Sequence, residues 1–215
     1  MGPHDDSTAG AGPRRVFVFN GGFLRAPRLR RIMELAGYAP RIGLPGPGDA
    51  VAIWGASPTA WRGEAVARRR GADVIRVEDA FLRSVLPGRA RGHVARRGPI
   101  GLLIDPLGLH FASDAPSLIE AFAMGGKARG MTAQARAAID RLIAADLSKY
   151  NAHLPGTAAP TPGHVMVIDQ TRGDASLRGA GRADFLRMLQ AARDENPGLA
   201  VLIRSQPETA AGPRP

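Results

Sequence analysis

A chain of 215 residues, 44% of them hydrophobic, is long enough for one large domain or a domain and a half. Aromatic residues make up only 5%, and alanine and glycine fill much of the rest; this predicts helices packed on a sheet through small residues rather than an aromatic-rich β-sandwich. The sequence contains no cysteine, which excludes disulfides, thiolate metal sites and cysteine nucleophiles. Lysine and arginine total 29 against 19 acidic residues, a formal charge of +10, and a basic surface attracts anions such as nucleic acid, lipid headgroups or a nucleotide-linked acidic sugar. Only Lys127 and Lys149 are lysines. The heavy use of arginine and alanine together reads as compositional bias, so the charge is taken mainly as solvated surface.

Residues 1–15 are polar and rich in glycine and proline, without the apolar stretch of a secretory signal, and are read as a disordered leader. Arg15 to Asn20 is a short apolar run ending at Gly21-Gly22, predicted as a buried strand and turn. Arg28 to Ala36 places Leu29, Ile32, Met33 and Ala36 at helical spacing. The Pro/Gly-rich stretch from Pro40 to Gly48 is expected to be a loop. Asp49 to Trp54 is a second strand, Thr59 to Arg70 a helix, and Ala72 to Val77 a third strand. Strands alternating with helices predict βαβ units and a parallel sheet covered by helices.

Ile100 to Asp105 is a further strand, followed by helices near Ser117 to Met124 and from Thr132 to Asp146. The second of these carries Ala135, Ile139, Leu142 and Ile143 on one face, with Thr132 as its predicted N-cap. These elements make a first Rossmann-like domain over residues 16–154. Three prolines and two glycines in residues 155–163 mark a linker. Strand His164 to Asp169, helix Arg182 to Asp194 and strand Leu199 to Arg204 then begin a second Rossmann-like domain over 164–215. The helix offers Phe185, Met188, Leu189 and Ala192 to the sheet. Two strands and one helix bury too little to stand alone, so this second domain is expected to be incomplete.

In open α/β sheets, ligands sit beyond the carboxyl ends of the strands, and polar residues cluster at those ends. Glu78 and Asp79, with Arg83 just beyond, can supply a general acid or base and a charge clamp. They fit an acidic helix cap with a surface salt bridge as well. After the strand ending at Asp169, Gln170 and Asp174 flank Gly173; a carboxylate there can be a nucleophile in glycosyl transfer, or the stabiliser of an Asx-turn. Lys149 and Asn151 read most simply as a helix C-cap pair. Asp105 and His110 bracket a loop, and His110 has no evident partner. His93, His153 and His164 show no metal-ligand spacing. The chain contains no P-loop, no Gly-x-Gly-x-x-Gly and no Gly-x-Ser-x-Gly.

Five collinear pieces resemble the capsular-polysaccharide family of β-Kdo transferases. They are Val51-Ala-Ile-Trp-Gly55; Arg76-Val-Glu-Asp-Ala-Phe-Leu-Arg-Ser84; Gly108-Leu-His-Phe111 with Ala115-Pro-Ser117; Leu147-Ser-Lys-Tyr-Asn151; and Val167-Ile-Asp-Gln-Thr-Arg-Gly-Asp-Ala-Ser176. Such enzymes are built from two Rossmann-like halves resembling the GT-B arrangement, with the active site between the halves. They transfer 3-deoxy-D-manno-oct-2-ulosonic acid (Kdo) from CMP-Kdo to a phospholipid-linked saccharide with retention. The resemblance implies Asp174 as nucleophile and Glu78 as general acid/base. It implies Gln170, Gln206, Pro207, Lys149 and Asn151 on the donor side, and Asp79 and Arg83 on the acceptor side. It implies no cofactor beyond the donor substrate and no metal. It also implies a cytoplasmic protein, with peripheral contact at the inner membrane or with capsule-assembly proteins left open. Nucleic acid is not an expected partner, since no recognition helix or aromatic-studded sheet is evident.

The chain departs from the family pattern in three places. Ala80 stands where Glu-Asp is usually followed by Gly; Phe111-Ala-Ser-Asp114 replaces Tyr-Asp-Ala-Thr; and Gln206-Pro207 replaces the His-Pro that meets the CMP phosphate. Gln donates a hydrogen bond but carries neither a proton nor a positive charge, so donor binding is expected to weaken. Such enzymes continue well beyond the equivalent of Pro207, and the chain reads as a truncated member. The alternative is a non-catalytic remnant that binds acceptor glycolipid or an assembly partner.

Overall fold

The computed structural model describes residues 12–86, 92–93, 97–125, 132–151 and 156–206. Most of the expected leader, part of the expected linker, and Pro207 lie outside the described residues. The chain divides into two compact units, Met1–Asn151 and Ala152–Pro215.

The first unit is built on a five-stranded sheet. In chain order its elements are β1 (Arg14–Val18), α1 (Gly21–Arg25), α2 (Pro27–Leu35), β2 (Tyr38–Arg41), β3 (Ala50–Trp54), α3 (Ala60–Arg70), β4 (Asp73–Asp79), β5 (Leu102–Asp105), α4 (Leu118–Gly125) and α5 (Thr132–Ala144). The strand order is β2-β1-β3-β4-β5. β3 is apolar throughout because both its faces are covered. Its Ala50 and Ala52 join a cluster with Val16, Val18, Phe23, Leu29, Met33, Ile75 and Val77. Val51 and Ile53 point the other way, onto Ala60 and Ala67 of α3, as the two-residue period of a strand demands. α3 comes close because residue 63 is glycine: a Cβ there would lie 3.0 Å from Ile53 Cγ1 and 3.2 Å from Val51 Cγ1.

The first unit departs from the sequence reading at four points. β2 falls partly where a loop was expected. Pro40 cannot donate to a ladder, but β2 is an edge strand, where proline is tolerated. Gly21-Gly22, expected to be a turn, opens the short helix α1, with Asn20 Oδ1 accepting the Gly22 N–H at 2.9 Å. The sheet is not wholly parallel, because β5 runs antiparallel to β4. A parallel partner requires a crossover, usually helical, and residues 80–101 carry no helical periodicity. Finally, α5 forms as predicted but its apolar face is not buried within the unit: Ile139 is 45% and Ile143 72% exposed.

Asp105 closes the loop after β5. It is 2% exposed; its Oδ1 accepts the N–H groups of Leu107 and Gly108, and its Oδ2 accepts that of Leu118 at the start of α4. Gly108 lies against the Pro116 carbonyl, which a Cβ would approach to 2.8 Å. The Gly108–Ser117 piece of the family pattern is therefore a folded loop stapled by one buried carboxylate.

The second unit comprises β6 (His164–Ile168), a 3₁₀ turn (Ala175–Leu177), α6 (Arg182–Glu195) and β7 (Ala200–Arg204). β6 and β7 pair in parallel, with His164 opposite Ala200 and Ile168 opposite Arg204. Val167 and Leu189 are buried, while Met188, offered to the sheet on the sequence reading, is 46% exposed. Phe185 and Ala192 are half-buried.

Candidate functional site

Glu78 and Asp79 are the last two residues of β4, opposite Leu103 and Leu102 of β5. Both are half-buried. Glu78 lies against Gly55, one residue past β3, and its Oε2 accepts the Asp79 N–H at 3.3 Å. Asp79 Oδ2 and Arg83 Nε are 2.9 Å apart. That distance makes an ion pair, but the Nε–H does not aim along it: Arg83 Nε and Asp79 Oδ1 are buried without a hydrogen bond among the described residues. Arg83 Nη1 donates instead to Ser84 Oγ at 2.8 Å, and Ser84 Oγ donates to the Leu86 carbonyl at 2.6 Å.

Two of the sequence motifs meet here. Arg83 and Ser84 donate their backbone N–H groups to the Lys149 carbonyl at 3.2 and 3.3 Å, and Asn151 donates its own to the Val85 carbonyl at 2.8 Å. Lys149 and Asn151 thus belong to the first unit, beside the residues read as lining the acceptor side. The Asn151 side chain is spent on its own turn, accepting from Ser148 N–H and donating to the Ser148 carbonyl, each at 2.9 Å. Lys149 Nζ lies 5.7 Å from the Tyr150 ring centre.

The strand order reverses direction between β1 and β3, the place where open α/β sheets bind ligands. Asn20 and Thr59 meet there, Asn20 Nδ2 donating to Thr59 Oγ1 at 3.2 Å. A shallow open crevice is lined by these two residues with Phe19, Trp54 and Ser57. None of these positions is marked by a motif of charged residues, which is why sequence reasoning passes over them.

In the second unit, Gln170 and Asp174 follow β6, and Gln206 lies two residues beyond β7, so all three leave the same carboxyl edge of the strand pair. Gly173 takes φ +75° and lets the loop double back. Asp174 caps the 3₁₀ turn: its Oδ1 accepts both the backbone N–H of Ser176, at 2.9 Å, and the Ser176 hydroxyl, at 2.6 Å. Gln170 Nε2 donates to the same hydroxyl at 3.3 Å, and its Oε1 takes the Thr171 N–H. Ser176 therefore ties Gln170 to Asp174. Both of these Asp174 bonds fall on Oδ1.

Among the described residues no three His, Cys, Asp or Glu side chains are grouped to hold a metal ion. Nor is any described helix long and apolar enough to cross a membrane.

No family model matches the chain. It is 30% identical over 213 residues to "Capsule polysaccharide modification protein LipA" of Neisseria meningitidis serogroup B (strain ATCC BAA-335 / MC58), and 29% identical to the protein of the same name in the serogroup A / serotype 4A strain DSM 15465 / Z2491. Each match covers 93% of this chain but 29% of the relative, so the chain spans under a third of the length of these curated relatives. Among solved structures, "Thermosulfurimonas dismutans KpsC, beta Kdo 2,4 transferase" superposes with a TM-score of 0.77 at 29% identity, covering 95% of this chain and 64% of that one. The KpsC beta Kdo 2,7 transferase of the same organism gives a TM-score of 0.60 at 19% identity, covering 91% and 62%, and speaks for the fold alone. The chain is homologous over most of its length to capsule polysaccharide modification protein LipA and to the KpsC β-Kdo 2,4 transferase, and shares the latter's α/β fold.

Proposed function

We propose that this chain acts in capsular polysaccharide biosynthesis as a retaining Kdo transferase, using CMP-Kdo as donor and a lipid-linked saccharide as acceptor. The observation that carries the reading is the Gln170–Ser176–Asp174 arrangement, a steadied carboxylate in a chain homologous to a β-Kdo transferase. In the first step Asp174 attacks the anomeric C2 of Kdo, and the bond to the phosphate oxygen breaks with its electron pair leaving on CMP. The transition state has oxocarbenium character, which a carboxylate stabilises before trapping it. In the second step the acceptor hydroxyl attacks C2, Glu78 takes its proton, and the ester to Asp174 breaks. Two inversions give net retention.

Asp79 Oδ1 and Arg83 Nε, buried atoms without a hydrogen bond among the described residues, suit the hydroxyl-rich acceptor. Gln206 is proposed on the donor side with Gln170, where it offers the phosphate a neutral hydrogen bond in place of a cation. The formal net charge of +10 suits a donor bearing phosphate and carboxylate. The protein is proposed to work in the cytoplasm, meeting its lipid-linked acceptor at the membrane surface.

Calorimetric titration with CMP and CMP-Kdo, for the chain and for Gln206→His, tests the donor assignment. The account expects weak CMP binding that tightens in Gln206→His by about tenfold, the gain of a charge-assisted over a neutral hydrogen bond. No binding by either form would contradict it and favour the remnant reading.

A further inference from the structure

The carboxylate of Glu78 occupies the space that any side chain at residue 55 would need. A Cβ on Gly55 would lie 1.6 Å from Glu78 Oε1, 2.7 Å from Cδ and 3.4 Å from Cγ. The first of these is close to a covalent distance, so a Cβ at residue 55 and the carboxylate cannot both keep these positions, and the flexible end of Glu78 must move. Gly55 also takes φ +41°, a backbone conformation that favours glycine.

This turn is pinned from both sides. Gly55 donates its N–H to the Val77 carbonyl at 3.0 Å, extending the β3–β4 ladder by one residue. Its carbonyl accepts from Arg76 Nη1 at 2.9 Å, and Arg76 Nη2 donates to Glu64 Oε1 of α3 at 2.8 Å. Arg76 and Glu78 are two apart on β4 and so share a face of the sheet. One strand therefore carries both the carboxylate and the arginine that fixes the turn against which that carboxylate rests. The guanidinium is planar and bonds in two directions, a geometry that holds position as well as charge.

We propose that Gly55 is a positioning residue for Glu78, its missing side chain forming the seat of the carboxylate and the Arg76–Glu64 pair fixing that seat. The proposal rests on Glu78 being the acid/base group, and it makes Trp54-Gly55 and Arg76-Val-Glu78 a single device drawn from two strands. Displacing a reacting group by about 1 Å costs on the order of 100-fold in rate.

The test uses the full chain in Kdo transfer from CMP-Kdo to a lipid-linked acceptor, comparing Gly55→Ala, Glu78→Gln, their combination, and Gly71→Ala. Gly71 is the control, since it takes φ +61° but a Cβ there meets nothing within 4 Å. The expected result is a kcat about 100-fold lower in Gly55→Ala at nearly unchanged KM, with Gly71→Ala close to the parent. In the Glu78→Gln background, Gly55→Ala adds no further loss. The proposal is overturned if Gly55→Ala matches Gly71→Ala, or if it costs the same factor with and without Glu78. If Glu78→Gln leaves transfer intact, or the parent chain does not turn over, the acid/base reading fails instead. The crystal structure of Gly55→Ala then decides the seat: a carboxylate displaced by about 1 Å or more supports it, and an unmoved one overturns it. If Gly55→Ala does not fold, adding Glu78→Ala removes the obstruction and restores folding; failure to restore it also overturns the proposal.

Discussion

Replacing Asp105 by alanine removes the staple of the loop that joins β5 to α4. Three backbone N–H groups lose their acceptor: Leu107 at 2.8 Å, Gly108 at 3.0 Å and Leu118 at 2.7 Å. A hydrogen bond to a charged group contributes about 1.5–3 kcal/mol. The three share one carboxylate and do not add fully, since an opened loop returns some amides to water, so a loss of about 3–4 kcal/mol is expected. With a urea m-value near 2 kcal/mol/M, the midpoint falls by about 1.5–2 M. Asp105→Asn keeps an acceptor for Leu107 and Gly108 but turns a donor toward Leu118, and loses roughly half as much. Both tryptophans, Trp54 and Trp61, lie in the first unit, so urea unfolding followed by tryptophan fluorescence reports on the right part of the chain. Amide exchange at residues 107, 108 and 118 should accelerate ahead of that of β3. A stability loss under about 1 kcal/mol in Asp105→Ala, or exchange unchanged at the three amides, would refute the reasoning.

Two further outcomes follow from the geometry. The Ser117 backbone N–H, and then the Ser117 hydroxyl, hold the Glu120 carboxyl below its usual range. A depressed folded pKa gives stability that is present above the ordinary glutamate value of about 4.3 and is lost as pH falls through the folded value; the urea midpoint of Glu120→Gln should therefore fall less steeply below about pH 4.5 than that of the parent. Ser176→Ala removes the hydroxyl shared by Gln170 and Asp174 but leaves the residue 176 N–H in place. Transfer should drop by about tenfold, the worth of roughly one hydrogen bond, with the fold intact by circular dichroism; an unchanged rate would leave Ser176 as a turn residue only.

What could be read from the sequence was what a segment decides by itself. β3 announces itself because Ala50 to Ile53 are apolar on both faces, and α5 because its apolar residues recur at helical spacing. Whether α5 is buried is not a property of its own sequence, and Ile143 is exposed. β2 was hidden by Pro40, since edge position, which makes proline acceptable, depends on the other strands. The direction of β5 was equally hidden, because a four-residue strand such as Leu102–Asp105 runs either way. Among the site residues, Glu78, Asp79, Arg83, Gln170 and Asp174 stood out as polar groups at strand ends. Gly55 and Ser176 lay inside matched pieces and Asp105 was marked only as one end of a loop; their roles stayed hidden, as each acts through a contact that exists only once the chain has folded. Gly55 and Glu78 are 23 residues apart, brought side by side by the parallel register of Trp54 with Val77. Asp105 reaches Leu118 across 13 residues. A glycine at one strand end followed by an arginine and a carboxylate two apart at the next is the signal that sequence reading can look for.

The proposed mechanism turns on a covalent bond between Asp174 and Kdo. Intact-protein mass spectrometry of the chain and of Glu78→Gln after incubation with CMP-Kdo, followed by peptide mapping, tests it directly. One Kdo residue is expected at Asp174, accumulating in Glu78→Gln because removal of the base stalls the second step, and missing from Asp174→Asn. An adduct that persists in Asp174→Asn, or Kdo transfer undiminished in that variant, would contradict it.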